Sequence, residues 1–133
     1  MPDGFSGIIY ELGSGWGTLA IALAKAHPDC KIVGMESSLI PYLFSELLLV
    51  LMRTANVQFQ FKNFLKADLN NADLIVCYLY MGGMRELKPK FESELKAGTI
   101  VISNTFAVPG WSPVEVFRAK DLFHSPIYVY EVR

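Results

Sequence analysis

Short apolar runs alternate with longer segments of helical periodicity along the chain. Residues 73–79 are predicted to form a strand whose run from Leu74 onward is apolar, which is typical of a strand covered on both faces of a parallel sheet. Residues 57–62 alternate apolar and polar positions, which predicts a strand at a sheet edge. The other predicted strands are 7–12, 31–36, 99–103, 114–121 and 127–133. The predicted helices are 16–26, 38–54 and 84–95.

This succession of elements predicts an α/β protein with a doubly wound, mostly parallel sheet. The last two strands are expected to form an antiparallel hairpin. Residues 64–71 are expected to be an irregular connection, and Gly82 and Gly83 to break the chain before the third helix. Because no linker or repeat is evident, residues 1–133 are interpreted as one domain with a short N-terminal segment before the first strand.

The second predicted helix, 38–54, is apolar on almost every side. A helix of this kind is usually buried, so we expect it to lie in the core against the first three strands. The alternatives are that part of its surface meets a second subunit, as in a homodimer, or a membrane surface. Its apolar residues are Leu39, Ile40, Leu43, Phe44, Leu47, Leu48, Leu49, Val50, Leu51 and Met52.

The bulk composition excludes several classes of protein. A net charge of −1 gives no indication of a nucleic-acid partner, so none is expected. Cys30 and Cys77 are expected to be buried, reduced thiols, and the isolated His27 and His124 give little support for a metal site. No secretory leader and no apolar run of about 20 residues is visible, so we expect a cytoplasmic protein.

One stretch carries most of the chemical information. The first predicted strand ends in Glu11-Leu12 and is followed by Gly13-Ser14-Gly15-Trp16-Gly17, and then by the first helix. A glycine turn between a strand and a helix leaves backbone N–H groups open and lets a small ligand approach the main chain closely. The stretch therefore predicts a binding site for a nucleotide-like molecule.

The details of this turn disfavour a dinucleotide. Its glycines do not have the spacing of the dinucleotide fingerprint, because Thr18 occupies the position of the last glycine. A pyrophosphate would also be opposed by the carboxylate of Glu11. A nicotinamide-dependent oxidoreductase is therefore disfavoured, and a ligand with a cationic end and no phosphate, such as S-adenosylmethionine, suits the turn better.

Further candidate residues follow the next strands, where ligands bind in open parallel sheets. Glu36 ends the second strand at the distance expected of an acid that accepts hydrogen bonds from ribose hydroxyls, and Ser37 is adjacent. Asn63 and Phe64 follow the third strand, where they could contact adenine, and Tyr78 ends the fourth. Each also has a simple structural interpretation: Glu36 as a solvated strand end, Asn63 as a turn residue and Tyr78 as a core residue.

The segment Glu11-Leu12-Gly13-Ser14-Gly15-Trp16-Gly17 resembles motif I of class I S-adenosylmethionine-dependent methyltransferases. The segments 74–79, 87–91 and 95–103 are also similar to small bacterial members. Gly110-Trp111-x-Pro113 resembles an element of the ATP synthase c-subunit lysine methyltransferase family.

The resemblance implies a seven-stranded sheet of order 3-2-1-4-5-7-6 and methyl transfer from S-adenosylmethionine to a protein lysine. It supports Glu11, Gly13, Ser14, Gly15, Gly17, Glu36, Ser37, Asn63 and Phe64 as cofactor-binding residues. We predict that Tyr78 borders and orients the acceptor and that Trp111 walls its pocket. The alternative function is a methyltransferase-like binding module without catalysis that acts through a partner subunit.

Overall fold

The computed structural model describes residues 6–79, 81–118 and 125–133. Seven strands form a sheet in the order β3-β2-β1-β4-β5-β7-β6, which confirms the expected order. The strands are β1 (Gly7–Leu12), β2 (Cys30–Glu36), β3 (Val57–Phe61), β4 (Leu74–Cys77), β5 (Ile100–Asn104), β6 (Glu115–Arg118) and β7 (Pro126–Glu131). The helices are α1 (Thr18–Ala26), α2 (Leu39–Met52) and α3 (Met81–Glu94), with a single 3-10 turn at Phe64–Lys66.

The chain divides into two compact units, Met1–Ala67 and Asp68–Arg133. In the first unit the three strands are parallel, with Leu12 opposite Met35 and Glu36 opposite Phe61. The carboxyl ends of β1, β2 and β3 therefore lie side by side at the same end of the sheet. The predicted edge strand is confirmed, because β3 ends the strand order and buries Val57 and Phe59 while exposing Gln58.

Helix α1 is a short helix that packs against the rest of the first unit through one face of mostly small residues. Its buried residues are Ala20, Ile21 and Ala24, at the spacing of a single helix face. The helix begins at Thr18, two residues later than predicted, because Gly15 and Gly17 have positive φ angles and cannot belong to a right-handed helix.

Helix α2 corrects the prediction of a core helix. Ser45 is its one buried residue, and most of its apolar side chains lie on the surface. The helix was predicted to within two residues at each end, but its apolar side chains extend around more of its surface than β2, β3 and α1 cover. Within the described ranges, no helix has the length and apolar character needed to cross a bilayer.

The second unit contains β4, β5 and the closing hairpin. Strands β4 and β5 are parallel, whereas β7 is antiparallel to both β5 and β6, as expected. The predicted hairpin strands, 114–121 and 127–133, are longer than β6 and β7, and residues 119–124 lie outside the described part. Strand β4 is also shorter than predicted. Cys30 and Cys77 are buried thiols, as predicted.

Helix α3 corrects the predicted break at Gly82 and Gly83. The helix begins at Met81, so it includes both glycines, and it continues through Pro89. Each glycine lowers intrinsic helix stability by about 1 kcal/mol. Complete burial of Met84, Leu87 and Phe91 along one face outweighs that cost.

Candidate active site

The glycine turn after β1 is held open by three glycines in left-handed backbone conformations. Gly13, Gly15 and Gly17 have φ angles of 76°, 56° and 87°. The turn is anchored to the next strand, since the N–H groups of Gly13 and Ser14 both donate to the carbonyl oxygen of Met35 at 2.9 Å. These two hydrogen bonds therefore fix the backbone of the turn that connects β1 to α1.

Two of these glycines have different surroundings. A Cβ atom added to Gly17 would lie 2.7 Å from Cβ of Ser45 and 2.8 Å from Cζ of Phe59, so Gly17 is required by close packing. A Cβ atom added to Gly15 would have no neighbour within 4 Å among the described atoms. The backbone at Gly15 therefore faces open space that a ligand can enter.

Glu36 joins the loops that follow β1 and β2. Its Oε1 accepts a hydrogen bond of 2.9 Å from the Gly15 N–H, and its Oε2 accepts one of 2.8 Å from the Ser38 N–H. Ser38 occupies the N-cap position of α2 without a capping bond from its side chain. Because each carboxylate oxygen can accept more than one hydrogen bond, Glu36 keeps acceptor capacity for a ligand.

Glu11 and Ser14 are buried polar residues with unsatisfied side-chain atoms. Only 5% of Glu11 and 7% of Ser14 is exposed. Glu11 Oε2 and Ser14 Oγ have no hydrogen-bond partner among the residues that the structure describes. Burial raises the pKa of the Glu11 carboxyl to about 8. Buried polar atoms without partners are rare in folded proteins, so these two mark a place where a polar ligand would complete the site.

Two small residues of this region were not identified from the sequence. A Cβ atom added to Gly34, which lies opposite Glu11 in the sheet, would be 2.9 Å from both Ser14 Cβ and Phe59 Cδ1. Ser45 supplies the buried contact with Gly17 described above. A glycine inside an apolar strand is the signal that indicates such a close approach.

Ser37, Asn63 and Phe64 lie near the same edge of the first unit. Ser37 is exposed and directly follows Glu36, and the N–H of Lys62 donates to the Glu36 carbonyl oxygen at 3.0 Å. Asn63 starts the 3-10 turn, because its Oδ1 accepts from the Leu65 N–H at 3.0 Å, and Phe64 is half-buried. Asn63 thus has a structural role as a turn residue, which leaves its contact with adenine a prediction.

Tyr78 and Trp111 belong to the second unit. Tyr78 directly follows β4 and is 61% exposed, so the interpretation of Tyr78 as a core residue is wrong. Trp111 packs against Phe91 and Tyr130, and its indole N–H faces Glu92 Oε1 at 3.4 Å.

Trp111 also lines a cavity of about 380 Å³ that extends to Val132. The backbone of Val132 bonds to Thr99, just before β5, so this cavity lies towards the amino end of that strand. This cavity is therefore not the predicted acceptor pocket beyond the carboxyl end of β5, and the role of Trp111 in that pocket stays a prediction.

A buried acid before a glycine turn, a second acid at the end of the neighbouring strand, and this strand order together define a class I S-adenosylmethionine-dependent methyltransferase. The chain belongs to the ANTKMT methyltransferase domain family, whose model matches residues 11–115.

Curated relatives and a solved structure agree with this family. The chain is 33% identical over 129 residues to a protein-lysine N-methyltransferase of Saccharolobus islandicus (strain REY15A), covering 94% of this chain and 79% of that protein. It is 30% identical over 116 residues to the adenine nucleotide translocase lysine N-methyltransferase of Mus musculus, covering 85% of this chain but 49% of that protein. The structure of an RNA methyltransferase from Salinibacter ruber in complex with S-adenosyl-L-homocysteine superposes with a TM-score of 0.86 at 26% identity, covering 95% of this chain and 80% of that one.

Proposed function

We propose that this methyltransferase transfers the methyl group of S-adenosylmethionine to the ε-amino group of a lysine side chain in a protein. The acceptor is suggested by the relative from Saccharolobus islandicus, whose similarity extends over nearly the whole chain. The observation that carries the cofactor part of the proposal is the buried Glu11 carboxyl oxygen, which has no hydrogen-bond partner in the described part of the chain and belongs to the strand that leads into the open turn at Gly15. This geometry suits a small ligand with a cationic group.

The residues of the first unit fit the cofactor. Ionised Glu11 would accept a hydrogen bond from the α-ammonium group, and the open backbone at Gly13, Ser14 and Gly15 would admit the methionine portion. Glu36 would accept hydrogen bonds from the ribose hydroxyls with its remaining lone pairs. Ser37, Asn63 and Phe64 would border the ribose and adenine.

The bound cofactor supplies an already activated methyl group, so the chain has to align the acceptor and exclude water. A lysine acceptor must be neutral to act as a nucleophile. We assign Tyr78 the role of orienting the acceptor amine with its exposed hydroxyl. If Tyr78→Phe kept full turnover, this role would be refuted.

A direct test combines binding with transfer. Calorimetric titration of the full chain with S-adenosylmethionine should show binding that is lost in Glu36→Ala, and titration with NAD should show none. Methyl-labelled cofactor is then incubated with a library of lysine-containing peptides and with the same peptides carrying arginine at every lysine position. Label in the lysine set alone is the expected result.

An RNA acceptor is the rival for transfer, because the Salinibacter structure is named an RNA methyltransferase. The near balance of 12 basic and 13 acidic residues argues against extensive phosphate contacts. Structured RNA therefore forms a second arm of the assay, and label in RNA but not in peptides would overturn the lysine proposal. Tight cofactor binding with no transfer to either would favour the noncatalytic binding module.

A further inference from the structure

Helix α2 presents an apolar surface that the first unit leaves uncovered. Its exposed apolar side chains are between 42% and 72% exposed, and they are Leu39, Ile40, Leu43, Phe44, Leu47, Val50, Leu51 and Met52. These eight large side chains form one patch along the helix. Contiguous patches of this size on soluble proteins mark interaction sites.

The spacing within this patch indicates a helical partner. Ile40, Phe44, Leu47 and Leu51 follow one another at intervals of four, three and four residues. This is the a/d spacing of a helix seam that packs knobs into holes of a second helix. Leu43 and Val50 flank the seam and widen it.

The charges on α2 favour a protein rather than a lipid surface. Glu46 is the one charged residue between Leu39 and Met52, and the helix contains no lysine or arginine. Helices that lie on membranes combine an apolar face with a polar face rich in basic residues, which attracts anionic lipids. A nearly uncharged apolar seam instead suits a second copy of itself, because two such faces meet without burying unpaired charge.

We propose that two copies of this chain associate about a two-fold axis through their α2 helices. The contact would extend to the glycine turn, because the ring of Trp16, which is 51% exposed, packs edge-on against Phe44 at 5.2 Å. The dimer interface therefore borders the cofactor turn of each copy.

The test measures the mass of the full chain by sedimentation velocity over roughly two decades of protein concentration, because association equilibria depend on concentration. The wild-type chain should pass from monomer to dimer. Leu47→Glu should raise the dimer dissociation constant by at least about tenfold, because it buries like charges in the seam. Ile40→Gln is a second, uncharged variant that should weaken the dimer in the same direction.

Val114→Glu is the matched control. Val114 is 58% exposed but lies before β6 in the second unit, so its replacement should leave the dissociation constant unchanged. Mixing Leu47→Glu with Leu47→Lys should restore association, which identifies α2 as the contact. Circular dichroism checks that each variant remains folded.

Three results would overturn the proposal. One is a monomer at every concentration, and another is an unchanged dissociation constant in folded Leu47→Glu. The third is binding of the monomer to vesicles of phosphatidylcholine and phosphatidylglycerol that Leu47→Glu abolishes, since the face would then serve a lipid surface.

Discussion

Glu11 is the residue at which the energetics of folding and of ligand binding conflict. Its carboxyl is buried, its Oε2 has no partner among the described residues, and burial raises its pKa from 4.5 to about 8. Between these two pH values the folded chain holds a proton that the unfolded chain has released. The residue therefore destabilises the ligand-free fold as the pH rises.

The first prediction concerns this pH dependence. The stability contribution of Glu11 is fully present below the unfolded pKa of 4.5 and is lost as the pH rises towards about 8. The slope from this one group is about 1.4 kcal/mol per pH unit within that window. Urea unfolding of the ligand-free protein should give a steeper fall in stability over this range than unfolding of Glu11→Gln. Glu115→Gln, at an exposed position, is the control and should keep the wild-type slope.

A second prediction separates the glycines of the turn. Gly17→Ala should destabilise the fold by about 2–4 kcal/mol, because it combines a positive φ angle with a clash against Ser45 and Phe59. Gly15→Ala meets no atom and should cost about 1–2 kcal/mol of backbone strain. It should nevertheless weaken cofactor binding by at least about tenfold, because its methyl group enters the open space.

Gly98→Ala provides the control for the glycine pair. Gly98 also has a positive φ angle and no neighbour within 4 Å of an added Cβ atom, but it lies in the second unit. The substitution should cost stability similar to that of Gly15→Ala without changing cofactor affinity. Equal loss of affinity in both variants would show that strain, and not the occupied space, weakens binding.

At the scale of single residues, the sequence was enough to identify acids and glycines that stand at the ends of predicted strands. An acid before three alternating glycines and an acid after the next strand are visible without a structure. The two-sided role of Glu36 was not, because it depends on the Ser38 N–H turning back to the same carboxylate. The close approach of Gly34 to Ser14 was missed for the same reason, since it requires knowledge of the strand register.

Among the elements, the strands and helices themselves were predictable and their surroundings were not. Periodicity shows that α2 is an apolar helix, but it cannot show how many of its faces the rest of the chain covers. For α3 the prediction was wrong because a glycine pair was expected to break the chain, whereas the helix includes both glycines. Local propensity disfavours a helix at Gly82 and Gly83, whereas burial of Met84 and Leu87 favours it, and burial wins.

A third prediction concerns the junction of α1, β2 and β3. The side-chain amide of Asn56 donates to the carbonyl oxygens of Ala24, His27 and Cys30 at distances of 3.0, 3.1 and 2.9 Å. Asn56→Ala would leave these acceptors without that donor, so we expect a loss of about 1–3 kcal/mol in the free energy of unfolding. Denaturant titration measures it, with the exposed Gln58→Ala as control; an unchanged midpoint would contradict the role of Asn56.

For the whole molecule, the hydrophobic pattern predicts a doubly wound sheet but not the placement of the closing hairpin. The position of β7 between β5 and β6 came from the family resemblance, because an antiparallel hairpin satisfies the same pattern on either side. The residues expected to bind cofactor all lie in the first unit, whereas Tyr78 lies in the second.

The fourth prediction applies to the stability of the whole chain. A ligand that binds only the folded state, present at about 100 times its dissociation constant, raises the free energy of unfolding by about 2.7 kcal/mol. S-adenosyl-L-homocysteine should therefore raise the melting temperature of the wild type. Glu36→Ala should show little increase, and NAD should cause none. A shift of wild-type size in Glu36→Ala would remove Glu36 from the cofactor site.

The shared carboxylate of Glu36 also has a consequence for amide hydrogen exchange. The N–H groups of Gly15 and Ser38 are far apart in the sequence, yet both depend on one side chain for their acceptor. When that side chain moves away, both amides become open to solvent in the same event. Their exchange rates should therefore rise and fall together, so that two backbone positions distant in sequence would report the same movement of the Glu36 side chain.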